Sequence, residues 1–187
     1  MQNPRVGVHM KRLSKVIFAC GVFLCPLLSS ATAQQRVAAL PGGASSLREA
    51  YQDWSVACSI RENTKVCLLS QDQARENGQR LLAVEMQRHA DGSATAMLLL
   101  PFGILLESGV TPQIDDQTPL SALRFRTCLP TGCLAQFSID PPTLENLRRG
   151  SVLKLKVTTA AETQLTFPVS LRGLNIALDR MATLSEG

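Results

Sequence analysis

Reactive groups are scarce in this sequence. It has two histidines, and only His89, in "QRHADGS" before a turn signal, lies outside an N-terminal stretch with the character of a leader. A single loop histidine is ordinarily a solvated side chain rather than a general base. Ser93 lacks the flanking glycines of a hydrolase elbow. No glycine pattern for cradling phosphate occurs, and Gly103 and Gly109 are explained by turns. Asp115 and Asp116 are adjacent, so on extended chain they face opposite ways. "IDDQTP" also lacks the oxygen spacing of a calcium loop, and it reads as a turn. These absences leave no catalytic residue, metal ligand or cofactor site to expect, and the chain reads as a non-enzyme.

Long apolar runs are also missing. Val16–Leu28 is about 13 residues, short of the ~18–20 that a membrane span needs. It follows Lys11, Arg12 and Lys15 and precedes "SSATA", the small-residue pattern of a signal-peptidase site. Export with cleavage after Ala33 is expected, making residues 1–33 a signal peptide. "ATAMLLLPFGILL", broken by Pro101 and Gly103, reads as buried strand, turn and strand, so no transmembrane span is expected in the mature chain. The full sequence holds 19 Lys/Arg against 15 Asp/Glu, but Arg5, Lys11, Arg12 and Lys15 all lie in the leader, and without them the charges balance. The basicity belongs to targeting and gives no reason to expect nucleic acid as a partner.

Cys20 and Cys25 belong to the leader, leaving Cys58, Cys67, Cys128 and Cys133. An even number in an exported chain implies disulfides, and four cysteines allow three pairings. Short loops favour local pairing, around "SIRENTK" and around "LPTG". The C-x8-C and C-x4-C spacings fit a zinc site only in part, and neither is the C-x-x-C of a thioredoxin-like dithiol.

Residues 34–50 are small, polar and without period, and read as a flexible segment ahead of a domain over 51–187. From there the period is two. Trp54, Val56 and Cys58 share a face in "DWSVACS", and Leu123 and Phe125 oppose Arg124 and Arg126 in "SALRFRTC". Leu153, Leu155 and Val157 oppose Lys154 and Lys156 in "SVLKLKVTT". Many short strands separated by turns predict an antiparallel sandwich or barrel. "PPTLENLRRG" reads as a short helix ended by Gly150. "SLRGLNIALDRMATL" reads as a C-terminal amphipathic helix capped by Ser170, with Leu171, Leu174, Leu178 and Met181 on its apolar face. Arg124, Arg126, Lys154 and Lys156 would form a basic patch for an anionic glycan or lipid head group if their strands are neighbours. The plain alternative is two solvated strand faces.

The order "DWSVAC", "CLLSQ", "LPFGILLESGV", "FRTCLPTGCLA" and "SLRGLNIALDRM" resembles the invasion-associated locus B family of exported Gram-negative proteins, from about Tyr51 to Leu184. The resemblance implies an immunoglobulin-like antiparallel β-sandwich and the disulfides Cys58–Cys67 and Cys128–Cys133. It supplies no catalytic residue. Where relatives carry an aromatic after the glycine of the last motif, this chain has Leu174, a conservative core change. The expected role is that of an exported envelope protein contacting a protein, envelope or host-surface component, with a part in host-cell invasion. Envelope maintenance or redox work through the cysteines is the alternative.

Overall fold

Trp54, Val56 and Cys58 are buried, and the residues between them are half-exposed, along β2 (Trp54–Arg61). That alternation recurs through most of the chain. The computed structural model describes residues 38–186; the leader, its cleavage site and residues 34–37 lie outside them. β1 (Ser46–Tyr51), β2, β3 (Thr64–Ala74), β4 (Arg80–Arg88) and β5 (Ala94–Leu100) follow one another as antiparallel neighbours. The chain then leaves this sheet to lay down β6 (Thr111–Ile114), and returns for the hairpin β7 (Phe125–Leu129) and β8 (Gly132–Ile139). It leaves again through α1 (Pro141–Arg149) to the hairpin β9 (Val152–Thr158) and β10 (Gln164–Ser170). The result is a seven-stranded sheet, β1-β2-β3-β4-β5-β8-β7, and a three-stranded sheet, β10-β9-β6. Inward residues of both share one apolar cluster, from Leu69, Leu98 and Ala135 to Leu155 and Val169. This is an antiparallel β-sandwich, one of the two forms that the alternation allows and the one that the resemblance implies. α2 (Leu174–Glu186) packs on β1 to β3 and adds Leu174, Leu178 and Met181 to the same core.

The short helix forms as expected. The Asp140 carboxylate accepts from the Thr143 N–H at 2.9 Å, prolines open the first turn, and Arg148 and Arg149 end the last.

Three expectations change. The supposedly flexible segment contains β1 from Ser46 onward, because Leu47, Glu49 and Tyr51 alternate toward the core face and the backbone pairs with β2 in register. Leu40, ahead of it, is 3% exposed. "PFGILL" forms a turn, one isolated bridge (Ile104 with Thr159) and a 3-10 turn (Leu106–Ser108) rather than a second strand. Ser170 does not cap α2, which starts at Leu174; its hydroxyl donates to Asp53 at 2.6 Å instead.

Close approach explains two of the motif glycines. A Cβ on Gly173 would lie 2.1 Å from the Tyr51 carbonyl oxygen, and one on Gly109 would lie 2.4 Å from that of Leu123. Both glycines have positive φ. Gly103 also has positive φ, but no atom lies within 4 Å of its absent Cβ. Gly173→Ala should therefore destabilise by at least about 2 kcal/mol, while Gly103→Ala should cost only about 1 kcal/mol of backbone strain. Urea unfolding of the two variants at unchanged m checks this; equal losses would refute the role assigned to the close approach.

Candidate functional site

The family-like motifs meet in space. β10 is an edge strand whose alternate carbonyls, Pro168 and Ser170, point away from β9. Trp54 Nε1 and Gln71 Nε2 both donate to the Ser170 carbonyl at 2.9 Å, and Gln73 Nε2 donates to the Pro168 carbonyl at 2.8 Å. Gln71 is 6% exposed, and its own oxygen accepts from Gln73 at 3.1 Å, so its amide is satisfied on both sides. Asp53 completes the group, accepting from Ser170 and lying 3.9 Å from Arg172. Trp54 and Gln71 come from the first two motifs and Ser170 from the last. Sequence reading put Trp54 on one face with Val56 and Cys58 but missed the glutamines. The available signal was parity: Gln71 stands two residues after Leu69, on the inward face of β3.

A second cluster ties β1 to α2. Arg180 grips Glu49 through two bonds of 2.7 and 2.8 Å, and the Tyr51 hydroxyl donates to the same carboxylate at 2.6 Å. The arginine first, then the tyrosine, holds the Glu49 carboxyl down at about 2 from an ordinary 4.5. The shared bond raises Tyr51 above its ordinary value.

Both cysteine pairs are disulfides, Cys58–Cys67 and Cys128–Cys133. Each joins residues directly opposite one another, on β2 and β3 and on β7 and β8. Cys58 and Cys133 are buried, whereas Cys128 is exposed near the hairpin tip Pro130–Thr131. Among the described residues no group of three or more His, Cys, Asp or Glu side chains is placed to hold a metal. His89 is exposed and shares a 2.9 Å hydrogen bond with Thr95. The Asp115 carboxylate caps a turn, accepting from Ser151 and Val152 N–H groups.

The four basic residues do not sit on adjacent strands. Arg126 lies on β7, at the edge of the larger sheet, with Arg124 just before that strand; Lys154 and Lys156 lie on β9, in the middle of the smaller sheet. Lys154 is ion-paired with Asp116 at 2.7 Å, an interaction that lowers the Asp116 carboxyl below its ordinary range. Arg126 donates to Gln136. The premise of a single patch, neighbouring strands, is thus absent. The outer face of the larger sheet carries a hollow of about 310 Å³ floored by Ala83, Met97, Leu99 and Leu134. The exposed Asp72–Arg80 ion pair, 3.0 Å long, lies at its rim.

Together these features describe a doubly stapled β-sandwich whose motif residues hold strands, turns and helix in place. Such motifs identify a lineage through its architecture. The chain belongs to the Invasion associated locus B (IalB) protein family, whose model matches residues 54–182. It is 41% identical over 151 residues to the Invasion protein B homolog of Brucella abortus, covering 80% of this chain and 87% of that protein. It is 35% identical over 159 residues to Invasion protein B of Bartonella bacilliformis, covering 83% and 86%. The crystal structure of invasion associated protein B from Bartonella henselae shares the fold at a TM-score of 0.71 and 33% identity. That likeness covers 75% of this chain and 97% of the other.

The Glu49 cluster makes stability depend on pH. Its folded pKa lies below the unfolded value, so its contribution is complete above about pH 4.5 and is lost as pH falls toward 2. The urea midpoint should drop across that window, and Glu49→Gln should flatten the drop while lowering the midpoint at neutral pH. An identical pH profile in the variant would rule out Glu49 as its source.

Proposed function

We propose that this chain is an exported, non-enzymatic protein of the bacterial envelope that acts through contacts with a protein or surface component and contributes to host-cell invasion. The observation that carries the reading is the fate of the cysteines: all four of the domain are spent in two disulfides, which persist in oxidising compartments. Two further facts support it. The Trp54–Gln71 and Glu49–Arg180 clusters are consumed in holding β10 and α2, and the relatives carry the name Invasion protein B. No helix among the described residues is long and apolar enough to cross a membrane. On this reading residues 1–33 are removed on export.

The test has two parts. N-terminal sequencing of the chain recovered from source cells should begin at Gln34, and the native protein should titrate no free thiol. A full-length chain with free cysteines in the cytosol would end the proposal. Protease treatment of intact cells, compared with osmotically shocked ones, then decides the site of action. Digestion without shock places the contacts outside the cell. Protection until shock places them in the periplasm and favours envelope maintenance.

A further inference from the structure

Four strands end the two sheets, and three of them are closed by a device visible in the fold. At β10, Trp54, Gln71 and Gln73 take the outward carbonyls of Pro168 and Ser170, and Pro168 contributes no donor there. β6 is flanked by residues 120–123, through Leu120 N–H to the Pro112 carbonyl and the reciprocal bonds of Val110 and Leu123. β7 is short and interrupted by a register shift at Arg126.

β1 has no such device among the described residues. Ile60 N–H bonds the Ser45 carbonyl, and the β1–β2 register is regular from Ser46 to Tyr51. Odd-numbered residues of β1 therefore bond to β2, while the N–H and C=O groups of Ser46, Arg48 and Ala50 point off the edge. Among the described residues they have no hydrogen-bond partner. Charges often guard such an edge, but both charges of β1 are drawn back onto the domain. Arg48 donates to Ser55 at 3.2 Å across the sheet, and Glu49 is held by Arg180 and Tyr51.

We infer that β1 is a self-association edge, pairing antiparallel with β1 of a second copy about a two-fold axis. Side-chain complementarity selects the register. Pairing Arg48 with Arg48 of the second copy, or Glu49 with Glu49, sets like charges opposite one another. Shifting so that Ser46 faces Arg48 avoids both clashes, brings the two Leu47 side chains together and forms four N–H···O=C bonds from Ser46 and Arg48 of each copy. An interface of one six-residue strand is below standard size, so a weak, reversible dimer is expected, with Kd of about 10–500 μM.

Sedimentation equilibrium of the purified protein over that concentration range, with amide hydrogen exchange at both ends, tests the inference. A monomer–dimer equilibrium is expected, with the Ser46 and Arg48 amides about two- to tenfold more protected at the top of that range than at its foot. Arg48→Pro deletes an outward N–H and the exposed side-chain bond to Ser55 but no bond of the β1–β2 ladder, so it should leave the monomer's circular dichroism intact and abolish the dimer. A protein that stays monomeric, or a dimer that survives Arg48→Pro, overturns the inference. If that variant fails to fold, the exchange data on the unaltered protein decide: protection that does not rise at Ser46 and Arg48 overturns it equally.

Discussion

The carbonyl oxygen of Ser170 accepts two side-chain donors, the Trp54 indole and the Gln71 amide, each at 2.9 Å. β10 belongs to the smaller sheet, and Trp54 and Gln71 to the larger. Apolar contact between two sheets is non-directional and would tolerate sliding. These bonds fix where the smaller sheet stops against the larger, and they do so in a buried place where an unmade bond is expensive. The chain turns immediately afterwards at Gly173, against the Tyr51 carbonyl, and enters α2. The position of α2, and through Arg180 and Glu49 its grip on β1, follows from that corner.

This gives motifs spread across the whole sequence a shared structural role. Trp54, Gln71, Gly109, Gly132 and Gly173 converge on backbone: two donate to a carbonyl, and three make room for one. The disulfides act in the same way, each locking a strand pair at directly opposed residues. Together these devices hold the surface of the sandwich still.

Much of the fold was legible in the sequence because period-two alternation is a local signal. β2, β9 and the apolar stripe of α2 are readable from their own residues. β1 was not, since its six residues follow a Gly/Ser-rich stretch and their alternation shows only when β2 is laid beside them. Ser170 was misassigned for a related reason: a serine before an apolar run has the look of a helix cap, and its partner Asp53 is 117 residues away. The basic residues of β7 and β9 each lie on a polar face as expected, but strand order is a long-range property, and it separates them.

The most direct test of this account is native-state hydrogen exchange of Gln71→Leu. The leucine keeps the volume and removes one of the two donors to Ser170. If that corner holds the smaller sheet against the larger, amides of β9 and β10 should lose protection while those of β4 and β5 keep theirs. Uniform loss across both sheets, or none, would contradict it.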